Sequence, residues 1–176
     1  MVRNIFLILI SVNLYNSCNA QKCEFKTLLN KTTKVPKDFE ACFKSKKFVT
    51  SNIIDKINTD CIYEQIGDTY NRYSVIKFYP NGKLNYYSFK FGFVYNETTF
   101  DPSINGLRGF VVQKIQDKNY YIQFYTIINH SGDWGIKTEK IEVFGDELHL
   151  ISKSGYRSVF KKKIIPKEFL SYKPTW

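Results

Sequence analysis

Between residues 60 and 163, eight short stretches rich in aromatic and β-branched residues alternate with turn-forming residues. The clearest pair, 72–79 and 83–91, flanks Pro80-Asn81-Gly82, where glycine readily adopts the positive φ of a tight hairpin turn. The other stretches are 60–66, 108–115, 119–128, 136–144, 147–152 and 155–163. Such a mainly β pattern predicts either a closed, antiparallel up-and-down barrel of about eight strands or a two-sheet sandwich. We favour the barrel, because sequential hairpins suffice to build it and closure leaves no exposed edge.

Residues 1–20 have the layout of a secretory signal peptide. A basic residue near the start precedes an apolar run, Ile5–Val12, and a polar stretch that ends at Ala20. The run is too short to span a bilayer. We therefore expect a secreted or periplasmic protein whose mature chain starts near Gln21. The alternative is a lipoprotein, in which a lipid on Cys18 anchors the domain to the cell envelope.

The segment that precedes the first barrel strand has two parts. Residues 21–36 are polar and show no clear period, which predicts an extended arm. From Lys37 to Ile57, apolar residues recur at helical spacing, and this pattern predicts an N-terminal helix or two short ones. We expect the C-terminal tail, 164–176, to pack across the outside or one end of the barrel. The predicted organisation is a signal peptide at 1–20, an arm and helix at 21–57, and a barrel domain with its tail at 58–176.

The chain is basic, with 26 Lys and Arg residues against 16 Asp and Glu and a formal net charge of +10. Because the basic residues are scattered rather than massed, they indicate a solvated surface that keeps the protein soluble. For an exported chain of this kind we expect no nucleic-acid partner. We expect a monomer that associates with a membrane only through a lipid on Cys18.

Removal of the signal peptide leaves three cysteines, Cys23, Cys42 and Cys61. An odd number in a compartment that permits disulfides predicts one disulfide and one free thiol. The spacing leaves all three pairings open. With only two histidines and no C-x-x-C or H-x-x-x-H spacing, we expect no metal site and no cofactor.

Three stretches resemble small lipocalin-like domains of exported, mostly uncharacterised Bacteroidota proteins. They are "INTDCIY" at 57–63, "YSVIKFYPNGKLNYYSF" at 73–89 and "IEVFGDELHLISKSGYRSVFKKK" at 141–163. Cys61 stands where such domains usually have glycine, which makes this position available for a disulfide. The lipocalin G-x-W signature near the first strand is missing, and Trp134 lies too late to supply it. The resemblance implies a barrel that holds a small apolar ligand, and it carries over no catalytic residue.

Alternation along the strands places every second side chain inside the barrel. With 13 Tyr and 15 Phe in the chain, these inward positions include many aromatic rings. The rings either line an amphipathic pocket or fill the interior as ordinary core, and the sequence leaves both open. If there is a pocket, the predicted ligand-binding residues are Ile76, Phe78, Tyr87, Phe89, Phe110, Ile122, Phe124, Leu148, Leu150 and Phe160.

Polar chemistry is densest at His130, Ser131 and Asp133, but residues so close on one loop seldom reach the geometry of a catalytic triad. A hairpin loop stapled by Trp134 explains them better. His149 alternates with leucines and is expected to be an exposed strand residue. Because phosphate-binding loops, paired carboxylates and nucleophile elbows are missing, we expect no catalytic residue and no enzyme activity.

Two functions remain as leading hypotheses. The first is a secreted lipocalin-like protein that binds a small apolar or amphipathic ligand in its barrel. The alternative is a protein-interaction module, such as an inhibitor of a secreted enzyme, with a filled barrel and an exposed patch around Trp134 or Trp176.

Overall fold

The computed structural model describes most of the chain after the predicted signal peptide. The described residues are 24–38, 42, 48–51, 55–67, 71–128, 132–174 and 176. The signal peptide predicted at 1–20, with Cys18, lies outside them. Within the described part of the chain, no helix has the length and apolar character needed to cross a membrane.

The structure is mainly β and contains eleven short strands and one 3₁₀ helix in the described residues. The strands are β1 (Phe25–Thr27), β2 (Lys34–Pro36), β3 (Phe48–Thr50), β4 (Ile62–Gln65), β5 (Arg72–Phe78), β6 (Lys83–Lys90), β7 (Leu107–Lys114), β8 (Tyr120–Ile127), β9 (Trp134–Phe144), β10 (Glu147–Ile151) and β11 (Arg157–Lys163), and the helix η1 spans Lys167–Leu170. Each strand from β4 to β10 pairs with the next one in antiparallel fashion, and β11 pairs with β4. The prediction of a closed up-and-down barrel of eight strands is confirmed.

The barrel interior is packed with apolar side chains whose positions follow from the strand pairing. Directly paired residues lie on the same face, so Phe78, which pairs with Leu84, and Phe124, which pairs with Gly109, both point inward. All the buried members of the resulting cluster are at most 5% exposed. They are Ile57, Cys61, Tyr63, Ile76, Phe78, Leu84, Val111, Ile122, Phe124, Ile141, Leu148, Leu150 and Phe160.

The outer face of the barrel is also buried in two places. On β4 to β6, a cluster that contains Tyr87 and Phe89 is covered by Phe100 from the β6–β7 loop and by Ile165 from the tail. On β7, buried side chains pack against β3 and the tail residue Trp176. The tail therefore packs across the outside of the barrel, as its bulky side chains predicted.

The N-terminal segment differs from its prediction. The arm at 21–36 contains a small hairpin, because β1 and β2 pair with each other. The helix predicted from Lys37 to Ile57 is wrong at Phe48–Thr50, which form β3 and pair with β7; much of the remainder lies outside the described residues. The physical reason is that β6 pairs with β7 only as far as Phe110. The backbone N–H and C=O groups of β7 after Phe110 therefore need hydrogen-bond partners from another strand, and β3 provides them.

Cys61 lies in the packed interior with a free thiol. Its side chain is fully buried, and burial raises the pKa of the thiol. Cys61 therefore forms no disulfide, although the resemblance to lipocalin-like domains made this position available for one. The two disulfide pairings that involve Cys61 are excluded. Cys23 lies outside the described residues.

Candidate functional site: a cavity at one end of the barrel

The two ends of the barrel are built differently. In an up-and-down barrel, alternate connections lie at the same end, so the loops that follow β4, β6, β8 and β10 surround one end, here called the mouth. The short turns that follow β5, β7 and β9 surround the other end, here called the base. Near the base, the backbone N–H of Asn58 donates to the Tyr63 hydroxyl at 3.0 Å, and Lys77 donates to the carbonyl of Thr59. These contacts join the chain before β4 to the packed interior.

A cavity of about 1040 Å³ opens at the mouth. Its apolar lining consists of Tyr86, Leu107, Phe124, Ile127, Ile128 and Ile136. Its polar lining consists of Thr126, Lys137, Thr138, Ser152, Lys153 and Ser154. Three inward positions toward the mouth, Ser74, Ser88 and Ser158, carry small side chains, whereas inward positions nearer the base carry large ones. The interior is therefore filled toward the base, and an open cavity lies at the mouth.

Tyr86 and Phe124 separate the cavity from the packed core. Their rings are stacked, with centroids 5.0 Å apart and an interplanar angle of 9°. Tyr86 also meets Phe160 edge-on, with centroids 6.3 Å apart. Stacked and edge-to-face rings hold each other in fixed orientations, which gives the cavity a rigid aromatic floor.

The ammonium group of Lys137 lies on the cavity wall. The Nζ atom of Lys137 lies 2.8 Å from Oε1 of Glu139, whose side chain is only 8% exposed. The same ammonium lies 5.8 Å from the centroid of the Phe124 ring. A buried carboxylate requires a partner, so Glu139 holds the Lys137 ammonium near the aromatic floor. The cavity thus combines apolar surface with a positioned positive group.

Ionisation of the Tyr86 phenol is expected to destabilise the fold at alkaline pH. Burial, together with the nearby Glu139 charge, raises the pKa of Tyr86 from 10 to about 12. Because the unfolded chain ionises this group first, the stability that depends on the neutral phenol is complete below pH 10 and is lost as the pH rises toward 12. Urea denaturation over this range should show a falling free energy of unfolding, and Tyr86→Phe should make the fall shallower. Equal slopes for both proteins would contradict this role of Tyr86.

The ten predicted ligand-binding residues separate into three groups. Phe124 lines the cavity. Six residues point inward but lie in the packed cluster beneath the cavity: Ile76, Phe78, Ile122, Leu148, Leu150 and Phe160. The inward orientation predicted for Tyr87, Phe89 and Phe110 is wrong, because these residues belong to the clusters on the outer face. The β6–β7 loop and the tail cover the outer face of β6, so this strand carries aromatic residues at both inward and outward positions. The usual alternation of apolar inward and polar outward residues is therefore absent from β6.

Most of the cavity lining was not predicted from the sequence. The turn at Pro80-Asn81-Gly82 was a usable signal, because the register that it sets places Leu84 opposite Phe78 and Tyr86 opposite Ile76, on the inner face. Lys137 gave no signal, because a charged strand residue is usually solvent-exposed.

The β8–β9 loop and His149 have structural roles in the described residues. Trp134 stacks on Tyr125 with centroids 5.5 Å apart, and the N–H of Ile128 donates to the carbonyl of Asp133 at 2.8 Å. The predicted Trp134 staple is thus present, while His130 and Ser131 lie outside the described residues. His149 points outward as predicted, but its side chain is only 14% exposed, so the prediction of an exposed histidine is wrong.

Within the described ranges, no group of three or more His, Cys, Asp or Glu side chains is placed to hold a metal ion. The closed barrel of eight strands is compatible with the lipocalin-like domains that the sequence resembles. No family model matches the chain, and no curated protein or solved structure matches it either.

Proposed function

We propose that the protein is a secreted lipocalin-like binding protein that holds a small amphipathic molecule in the mouth of its barrel and catalyses no reaction. The observation that supports this proposal most directly is the cavity of about 1040 Å³. Ligand-binding pockets have volumes of roughly 300–1,000 Å³, so this cavity has room for a compact organic molecule. A barrel filled along its whole length would have offered no such room.

The distribution of polar groups suggests how the ligand is oriented. The floor offers the Phe124 ring and the Leu107 side chain for apolar contact. The wall and rim offer the ammonium groups of Lys137 and Lys153 together with several hydroxyl groups. An amphipathic molecule with an anionic or strongly polar end fits this arrangement, with its apolar part on the floor and its polar end toward solvent.

Two further parts of the proposal concern the N-terminal segment. Export is supported by the signal-peptide layout of residues 1–20. A Cys23–Cys42 disulfide is supported by the free, buried thiol of Cys61, since this is the pairing that remains in an exported chain. Mass spectrometry of peptides from the unreduced protein should show Cys23 and Cys42 in one linked fragment.

The direct test of ligand binding is native mass spectrometry of the chain recovered from an exporting host. A reproducible small adduct that disappears on denaturation would support the proposal and give the chemical class of the ligand. A clean mass without adduct, combined with no binding of an apolar fluorescent probe, would contradict it.

Filling the cavity should abolish binding without disturbing the core. We expect the double variant Leu107→Trp and Thr126→Trp to weaken probe binding by about tenfold or more, because both side chains line the cavity and the added rings occupy the space of the ligand. Probe fluorescence titration measures the change. Thr32→Trp, in the exposed turn between β1 and β2, is the matched control and should bind as the wild type does. Unchanged affinity in a folded double variant would place the ligand elsewhere.

The protein-interaction module is the second candidate, and the exposed apolar side chains of the mouth are the observation that favours it. The patch predicted around the tryptophans receives less support. The Trp134 ring is stacked on Tyr125, and the Trp176 ring packs against Arg108 and Tyr79.

A further inference from the structure

All four loops at the mouth present large apolar side chains to solvent. Ile66, after β4, is 51% exposed, and Tyr156, after β10, is 62% exposed. The β6–β7 loop contributes Phe91 at 55% and Val94 at 81%, and Ile128, after β8, is 55% exposed. Single exposed apolar residues are ordinary, but exposed apolar residues that recur on every loop around one opening indicate an interaction surface.

Two aromatic residues of the β6–β7 loop are held in place by rings on the outer wall of the barrel. Phe91 lies against Tyr73, with ring centroids 5.7 Å apart, and Phe93 stacks on Phe89 at 4.6 Å. Each ring therefore has one side packed on the barrel while the residue remains about half exposed. Little conformational entropy remains to be lost when such side chains enter an apolar phase.

Positive charge accompanies the apolar rim. Lys90 directly precedes Phe91, and Lys153 lies in the loop after β10; both are exposed. Arg72 stands beside Lys90 across the β5–β6 pair and donates to the carbonyl of Ser88. The described mouth loops also carry two exposed acidic residues, Glu97 and Asp133. The mouth thus has an excess of positive charge, as has the whole chain.

We propose that the mouth docks on an anionic lipid bilayer, with the apolar loop tips in the interfacial region and the lysines against lipid phosphates. Apolar side chains combined with basic ones are the general requirement for peripheral membrane binding. Four separate loop tips around an opening suit a flat, deformable surface better than they suit one protein segment, which needs a continuous groove. This proposal rests on the loops alone and does not depend on what the cavity holds.

Vesicle sedimentation tests the proposal. The chain recovered from an exporting host, with Cys18→Ser to exclude a lipid anchor, is incubated with vesicles of phosphatidylcholine alone or mixed with phosphatidylglycerol. We expect clear binding to the mixed vesicles and at least about tenfold weaker binding to the neutral ones, because several lysine contacts contribute at an anionic surface. No sedimentation with either vesicle would overturn the proposal, and recovery of the protein only in complex with another protein would favour the interaction module.

Paired variants separate the mouth from the rest of the surface. Phe91→Ser with Val94→Ser should weaken vesicle binding by about tenfold or more, because exposed apolar area that would enter the lipid is lost. Ile115→Ser with Ile164→Ser, similarly exposed but away from the mouth, should leave binding unchanged. Lys90→Glu with Lys153→Glu should abolish the preference for anionic vesicles, whereas Lys56→Glu with Lys118→Glu, near the base, should weaken it much less. If the mouth and base lysine variants lost vesicle binding equally, the effect would come from net charge alone, and this would contradict docking through the mouth.

Discussion

Phe160→Ala is expected to lower the free energy of unfolding by about 3–5 kcal/mol. The Phe160 ring is fully buried in the barrel interior, on the strand that closes the barrel. It pairs with Leu148 across β10 and β11 and meets Tyr86 edge-on, so its removal leaves a void beneath the cavity floor. Urea denaturation followed by circular dichroism measures the loss.

Phe144→Ala is the matched control for this loss. Phe144 is 54% exposed at the end of β9, where its ring lies against His149 on the outer wall. Its replacement should cost about 1 kcal/mol or less, because little apolar area is returned to water. Similar losses for the two variants would show that the barrel interior is not the stabilising core.

Gly109→Asn is expected to destabilise the fold by about 3 kcal/mol or more, through overpacking and the burial of an unpartnered amide. A Cβ atom at Gly109 would lie 2.4 Å from the backbone oxygen of Gln123 and 3.0 Å from side-chain atoms of Leu84 and Phe124. The backbone oxygen cannot move without disturbing the β7–β8 pairing. We therefore expect either no folded protein or a markedly lower unfolding midpoint in thermal denaturation.

Gly145→Asn provides the comparison with the same new side chain. Gly145 has φ of +58° in the turn between β9 and β10, and a Cβ atom there would meet nothing within 4 Å. Asparagine adopts this backbone conformation more readily than most residues, so the cost should be about 1 kcal/mol or less. A larger loss at Gly145 than at Gly109 would refute the close approach of β7 and β8.

The barrel could be predicted because its determinants are local. Each hairpin from β5 to β11 carries its own turn residues and its own alternation, and Pro80-Asn81-Gly82 is the clearest example. The strand β3 could not be predicted, because it owes its existence to the edge of β7, some 60 positions later in the chain. Helical spacing of apolar residues before Ile57 was outweighed by this non-local pairing at Phe48–Thr50.

The cavity was harder to predict than the barrel, since it depends on which face of each strand is the inner one. Where outward polar residues alternate with inward apolar ones, as on β10, Leu148 and Leu150 mark the interior correctly. Where the outer face is covered, as on β6, Tyr86 and Tyr87 are both partly or fully buried and the pattern is ambiguous. The covering loop and tail are themselves tertiary features, so alternation alone could not assign these positions.

The β4–β11 seam fixes when the barrel can close around its interior. Lys163 and Glu64, which are joined by an ion pair of 2.7 Å across this seam, stand 99 positions apart, whereas all other adjacent barrel strands are consecutive in sequence. As the chain leaves the ribosome, successive hairpins can form from β4 onward, but the growing sheet keeps two unpaired edges until β11 arrives. A nascent or shortened chain that lacks β11 can form a sheet but not a closed barrel. The enclosed space therefore appears in a single late step, when the last strand joins the first.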